Sequence, residues 1–457
     1  MNKLMLICAP VTSRSGYGDH ARDLVRAFIK NDKYDIKILD VPWGECPRNA
    51  LDATNLTDKI ILDCILPKPE LDRQPDIYVD IRIPNEFQQY GKFNIGITAG
   101  IETTIVSEKW LEGCNKMDLI IVPSEHSKSG FVETMYDKVQ NLPDGKQQKV
   151  GELRLEKPME VLFEGVDENI YKPLNESEID SKFLNNINEK IKEDFCFLHV
   201  GQWGKGGFGE DRKDIAKMLK IFYEAFANKK KQPALILKTC GASFSVMDRE
   251  DCLSKINQIK SMFPKDWKLP NVYLLHGDLK PKELNYLYNL PKVKSFVSFT
   301  HGEGFGRPLL EASMAGLSVI ASGWSGQLDF LDENNSLLIG GDLKEIPNSV
   351  VWKDILVKGS KWFNINEAQA YRALNYSFND EDDIKSKSKK MMEINREKFT
   401  FDKMTLKLDE IMEKYVKDSP QQVGLKLPKL KKIKKDVSKT SNIELPKLKK
   451  VVDEATV

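Results

Sequence analysis

The chain has 457 residues, 41% hydrophobic and 30% charged, with a formal net charge of +1. This length exceeds what one ordinary core holds, so two domains plus tails are expected, and the near-neutral balance excludes a global drive toward nucleic acid or an anionic membrane. Seven cysteines (Cys8, Cys46, Cys64, Cys114, Cys196, Cys240, Cys252) are scattered with no C-x-x-C pair, which argues against a disulfide framework or structural zinc and for a reducing cytoplasm.

Residues 3–8 read as a first strand. The loop 9–18 follows, and Asp19 is expected to cap a helix with Ala21, Leu24, Val25, Phe28 and Ile29 on one face. Gly16 and Gly18 flank Tyr17 just before that helix, where a donor or acceptor phosphate can approach backbone N–H groups; a plain tight turn is the alternative. The run 4–9 is too short for a signal-peptide core, and no stretch reaches the ~18 apolar residues of a membrane span, so neither secretion nor spanning is expected. Strand-like runs recur at 36–41, 77–81, 93–98, 119–122 and 161–163 with helical stretches between several, which predicts a largely parallel sheet.

A second alternating region holds strands at 195–200, 234–239, 272–276, 295–299 and 318–321, a helix over 214–227, and a helix opened by Pro308 and closed by Gly316. The helix 402–417 carries Met404, Leu408, Ile411, Met412 and Tyr415 at helical spacing and should pack by one face. The tail repeats LPKLKK at 427–432 and 445–450, and residues 420–457 hold ten lysines against four acidic residues. It is either a solvated tail or a basic handle for a membrane surface, nucleic acid or a protein partner.

Two segments carry chemistry. The first, HGEGFGRPLLE, sets Glu303 and Glu311 eight positions apart, at a strand end and one turn into a helix. Two carboxylates so placed can bind hydroxyl pairs at two points of an extended ligand, while glycines let the backbone approach what lies between. The second, GQWGKGGFGEDRKD, spells G-x-G-x-x-G at Gly204, Gly206 and Gly209 between a strand and a helix, which is the context of a dinucleotide fingerprint. The next strand, however, ends in Lys238 and Thr239, which suits phosphate better than the ribose of a nicotinamide cofactor. The five histidines, His20, His126, His199, His276 and His301, show no metal-ligand spacing.

The E-x7-E segment resembles that of the retaining glycosyltransferases of the GT-B fold, family four (glycosyl transferases group 1). The segments VPSEHSKSGF (122–131) and EGVDENIYKP (164–173) also resemble that family. The resemblance implies an α/β chain of two Rossmann-like doubly wound domains facing across a cleft. Their expected bounds are 1–165 for the acceptor domain and 166–400 for the donor domain, with a hinge near 165–190, a helix over 401–418 crossing back to the first domain, and a basic tail over 419–457. It implies a catalytic Glu303 near the donor sugar, Glu311 on the ribose, and Gly304, Phe305 and Gly306 facing sugar and phosphate. Arg212 and Lys213 fit the family's cations for the donor diphosphate, with Lys205 a rival and Lys238 a further positive charge. Transfer would be same-face, the leaving phosphate accepting the acceptor's proton, with no metal and no cofactor beyond the sugar nucleotide.

One departure stands out. The stretch FNIGITAGIETT lacks the histidine many relatives carry after a first-domain strand, and Glu102 is its nearest ionisable group. Glu102 either orients an acceptor hydroxyl or caps the following turn; Asp19, Arg14 and His126 are weaker first-domain candidates. Gly323, Trp324, Ser325 and Gly326 form either a second ribose or base wall or, for Trp324, part of the core. The expected enzyme is a cytoplasmic hexosyl- or pentosyltransferase, peripheral at the inner membrane surface if the tail binds there, acting on a glycan or lipid-linked glycan. The alternatives are glycosylation of a modified DNA base, suggested by the tail and a Lys-over-Arg bias, a non-catalytic sugar-nucleotide binder, and a nicotinamide-dependent oxidoreductase.

Overall fold

A computed structural model describes residues 2–142, 146–204, 206–241 and 243–416. Lys205 and the lysine-rich tail lie outside the described residues.

The first half begins with β1 (Lys3–Ala9), α1 (Gly16–Asn31), β2 (Tyr34–Asp40), α2 (Leu56–Leu62), β3 (Ile77–Ile81) and β4 (Phe93–Ile97). It continues through α3 (Glu108–Lys116), β5 (Leu119–Val122), α4 (Glu125–Glu133), a hairpin of β6 (Tyr136–Asn141) and β7 (Gln147–Leu153), and β8 (Met159–Val161). Six strands form one parallel sheet in the order β2-β1-β3-β4-β5-β8. Runs such as KLMLICA and LIIV are buried along nearly their whole length, as expected of parallel strands covered on both faces. The hairpin was not anticipated: its polar residues alternate too weakly to signal strands.

The expected cap of α1 moves upstream. Ser15, not Asp19, is the N-cap, its hydroxyl accepting from Gly18 N at 3.1 Å, so Gly16, Tyr17 and Gly18 form the first helical turn rather than a preceding loop. Asp19 pairs instead with Arg22. Gly18 is required by space, since a Cβ there would lie 2.1 Å from Ser13 O, whereas a Cβ at Gly16 would meet nothing.

The second half runs through α5 (Ser181–Lys190), β9 (Cys196–Val200), α6 (Ile215–Phe226), β10 (Ala234–Lys238), α7 (Val246–Lys260), β11 (Val272–Leu275) and α8 (Pro281–Tyr288). It ends with β12 (Val293–Ser298), α9 (Arg307–Met314), β13 (Ser318–Ser322), β14 (Leu337–Ile339), the antiparallel pair β15 (Gly341–Glu345) and β16 (Lys361–Ile365), then α10 (Glu367–Asn379), α11 (Glu381–Lys398) and α12 (Phe401–Tyr415). The sheet order is β11-β10-β9-β12-β13-β14, again all parallel. Strand order reverses between β9 and β12, and such reversals open a ligand crevice at the strands' carboxyl ends.

The chain leaves the first half after β8 and returns just before α12, and the two crossings pair. Val166 N donates to Phe399 O at 3.0 Å and Phe401 N to Val166 O at 2.8 Å. The amphipathic α12 then inserts Met404, Leu408, Ile411 and Met412 into the first half's core beside Ala21, Leu24 and Phe28 of α1. Lys30–Asp402 and Lys33–Asp409 pairs at 2.6 and 2.7 Å flank that seam. No helix among the described residues is long and apolar enough to cross a membrane.

The buried seam predicts that Leu408→Ala lowers stability in denaturant titration by about 2–5 kcal/mol. Leu406→Ala on the same helix, where the side chain is 60% exposed, should change it by less than about 0.5 kcal/mol.

Candidate active site

The loop from β12 to α9 carries Glu303 at the reversal of strand order. Gly306 caps α9 with φ +99°, a conformation that favours glycine, and Arg307, followed by Pro308, opens the helix. Glu303 N donates to Ser325 Oγ at 2.9 Å, and Gly326 N donates to Glu303 O at 3.0 Å, so the loop after β13 pins it. Its carboxylate meets two cations from the loop after β9: Lys213 Nζ at 2.5 Å from Oε1 and Arg212 Nη1 at 3.0 Å from Oε2. Arg212 also donates to Gly302 O at 3.0 Å and stands 3.6 Å from Glu102 Oε1. Burial alone would raise the Glu303 pKa, but Lys213 and Arg212 overcome it and hold the group down at about 2. Burial pulls Lys213 down, and Glu303 opposes that pull.

Beneath these cations lies a buried support. The Arg212 carbonyl accepts from His301 N at 2.8 Å and Thr300 Oγ1 at 3.1 Å. The His301 ring stacks on Trp362 with centroids 4.2 Å apart, its Nδ1 2.6 Å from Phe363 O and its Nε2 3.1 Å from Gly209 O. Asp214, fully buried at φ +49°, lies 3.5 Å from that Nε2 and 2.8 Å from Lys217 Nζ. Burial, then the neighbouring Asp214, push Asp211 up to about 7. His301 is thus a packing residue that locates the cation loop.

Glu311 occupies a second cluster. It accepts from Arg307 Nε at 2.9 Å and from Tyr288 O–H at 3.2 Å, and Arg307 reaches across to pair with Asp23 of α1. Burial raises the Glu311 pKa and Arg307 opposes it. Glu164, just after β8, is 8% exposed and faces the same Arg307. Burial pushes it up to about 7, with Arg307 opposing and Asp23, Asp19 and Glu311 reinforcing the rise.

The two halves touch at the glutamate loop. Ser124 Oγ, the N-cap of α4, donates to Gly304 O at 2.5 Å. A Cβ on Gly304 would lie 2.0 Å from Ala99 O, and one on Gly302 would lie 2.1 Å from Glu102 O, so these glycines are what allow the loops to meet. Glu102 faces Arg212 and is not a helix cap, since Ser107 caps α3. Tyr17 turns inward: its hydroxyl bonds Thr98 Oγ1 at 2.9 Å and Ala99 N at 3.1 Å, and its ring stacks on Trp43 at 3.9 Å. It braces the loop after β4.

The remaining candidates make no side-chain bond to the Glu303 carboxylate. Lys238 ends β10 and donates to Gly277 O at 2.6 Å, with its ammonium 5.5 Å from the Phe244 ring centroid. Phe305 is buried in the core against Phe330, and its backbone packs against Gly326. Arg14 pairs with Asp278 across the halves. Trp324 stands between the Phe363 ring, at 6.1 Å, and His126, at 4.6 Å. Burial lowers the His126 pKa to about 4. Among the described residues, no group of three or more His, Cys, Asp or Glu side chains could hold a metal ion. Arg307, Asp23, Tyr288 and Glu164 were missed as site residues by sequence reasoning. Only Arg307 carried a signal, its i,i+4 spacing to Glu311.

By sequence the chain matches no family model and no curated protein. Solved structures do resemble it. Sucrose-phosphate synthase from Thermosynechococcus elongatus matches with a TM-score of 0.61 at 13% identity, covering 92% of this chain and 100% of that one. HepE of Anabaena, solved in complex with UDP-glucose, matches at 0.56 and 12% identity over 90% of this chain and 100% of that one. A UDP-forming α,α-trehalose-phosphate synthase from Burkholderia xenovorans, solved with glucose-6-phosphate, matches at 0.51 and 11% identity over 88% and 80%. The fold is GT-B. At these identities the likeness is one of fold, and activity must be argued from the site.

In this GT-B cleft the acid at the crossing makes a measurable prediction. The folded-state pKa of Glu164, about 7, lies above the ordinary glutamate value of about 4.3. The folded state therefore holds this proton more tightly, and stability falls as pH rises between those two values. Relative to wild type, Glu164→Gln should gain stability between about pH 5 and about pH 8, by up to about 3 kcal/mol. Denaturant titrations at both pH values check this; a difference that does not change with pH would show that Glu164 titrates normally.

Proposed function

We propose that this chain is a retaining glycosyltransferase of the family-four type, moving a hexose or pentose from a nucleoside-diphosphate sugar to a hydroxyl of a glycan or lipid-linked glycan. The observation that carries this reading is the buried meeting of Glu303 with Arg212 and Lys213 at the carboxyl ends of β9 and β12. Arginine offers a planar fork and lysine a point charge, a pair suited to a diphosphate. The N–H groups that open α9 add an anion-facing surface beside them.

In this reading the diphosphate lies on Arg212, Lys213 and the backbone of Gly304, Phe305 and Gly306, and Glu311 binds the ribose hydroxyls. Glu303 orients the donor sugar through its hydroxyls. As the glycosidic bond breaks, negative charge collects on the leaving phosphate, where the two cations stabilise it without a metal. The acceptor's oxygen attacks on the face the phosphate leaves, and its proton passes to that phosphate. Glu102, part exposed beside Arg212, is assigned to the acceptor hydroxyl. Lys238 and the first turn of α1, Gly16 to Gly18, are assigned to the outer phosphate and nucleotide region. The seating of the glutamate loop on the loop after β4 supports a closed site that excludes water. The catalytic domains are taken as 1–165 and 166–400, joined at the paired crossings.

A thermal-shift panel of UDP-, GDP-, ADP- and CMP-sugars tests the donor class. One class should stabilise the wild type, by about 2.7 kcal/mol at 100 times its Kd, and lose the effect in Glu311→Ala. With that donor and an accepting glycan, NMR of the product should show the donor's anomeric configuration retained. No stabilisation by any sugar nucleotide would sink the reading.

A further inference from the structure

The cations assigned above to the donor diphosphate are already occupied. Lys213 and Arg212 hold the two oxygens of Glu303 at 2.5 and 3.0 Å, and Glu102 stands 3.6 Å from the other side of the Arg212 guanidinium. The site is therefore an anion site filled by the protein's own carboxylates. We propose that Glu303 is a displaceable internal anion: the incoming diphosphate takes Arg212 and Lys213 from it, and the freed carboxylate finds new partners only in the hydroxyls of a sugar attached to that diphosphate. This rests on the assignment of Arg212 and Lys213 to the diphosphate.

The constraint is burial. Glu303 is 6% exposed, and a buried carboxylate stripped of its partners is strongly destabilising. The backbone that carries it is pinned, its N–H by Ser325 Oγ and its carbonyl by Gly326 N, and the side chain is enclosed by the loops around it. A diphosphate carries more charge and more acceptor oxygens than one carboxylate and so can take over both cations. Glu303 is then left beside the phosphates, repelled by them and short of donors. An intact sugar nucleotide supplies donors through its sugar, whereas a bare nucleoside diphosphate or inorganic pyrophosphate supplies none at that point.

Glu303 thereby favours substrate over product. Once the sugar has been transferred, Glu303 loses its hydroxyl partners, retakes Lys213 and Arg212, and helps expel the nucleoside diphosphate. The role differs from orienting the sugar, because it makes the wild-type carboxylate a competitor of the bare diphosphate.

Titration calorimetry of inorganic pyrophosphate into the full chain tests this with wild type, Glu303→Gln, Glu102→Gln and Lys213→Ala. Pyrophosphate should bind Glu303→Gln at least about tenfold more tightly than wild type, equivalent to about 1.4 kcal/mol. Glu102→Gln should shift affinity the same way by a smaller factor, and Lys213→Ala should weaken it. Unchanged or weaker binding by Glu303→Gln overturns the internal-anion role while the diphosphate assignment stands on the Lys213→Ala loss. If Glu303→Gln no longer unfolds cooperatively, wild type decides: a bare nucleoside diphosphate bound as tightly as the sugar nucleotide that carries it overturns the role. Absence of pyrophosphate binding to all four proteins overturns the assignment and this inference together.

Discussion

Glu303 is a charge taken almost wholly out of water, and its surroundings are arranged to answer it. Lys213 and Arg212 keep it ionised, but they can do so only if the loop after β9 is brought against the loop after β12. That placement depends on the parallel sheet, whose strand order reverses between those two strands. It also depends on His301 and Thr300, whose N–H and hydroxyl hold the Arg212 carbonyl from below, and on Asp214, 3.5 Å from the His301 ring. Breaking one partner of such a buried group costs far more than the pair contributes, so the constraint propagates outward from one carboxylate.

The same logic explains the glycines. Gly302 and Gly304 have no room for a Cβ, because the loop after β4 of the other half presses on them. Glycine here serves close approach across the cleft as well as local backbone freedom. The E-G-F-G pattern accordingly does two jobs: Gly306 takes the left-handed conformation before α9, and Gly304 lets Ser124 reach the loop. Farther along, Arg307 joins α9 to α1 through Asp23 while holding Glu311. Both glutamates of the motif are therefore tied to the interface between the halves.

Much of the fold was legible because it is written locally. Apolar runs of five to seven residues such as IYVDI and KLMLICA, separated by helical stretches, mark buried parallel strands, and the spacing of Met404, Leu408 and Ile411 marks a helix with one buried face. Local signals also misled. Asp19 looked like the cap of α1 because an acid before an apolar helix often is one, yet Ser15 sits where its hydroxyl can reach the open amides. Tyr17, flanked by glycines, carries no signal in the sequence for its side-chain partners; the structure stacks its ring on Trp43 and bonds its hydroxyl to Thr98. The hairpin of β6 and β7 left no readable pattern, since neither face is systematically apolar.

Sequence alone determined the E-x7-E segment, the neighbouring pair Arg212 and Lys213, and the alternation of strand and helix, all of which depend on residues near one another in the chain. Only the tertiary structure decided that Glu303 and Lys213, 90 positions apart, share a bond. It alone decided that Glu102 faces Arg212, that Lys238 bonds Gly277 O, and that Glu164 is buried at the crossing beside Arg307. The reason is physical. A side chain's partner, charge state and burial are set by what the folded chain brings within a few ångströms of it, and that distance has no counterpart in sequence separation.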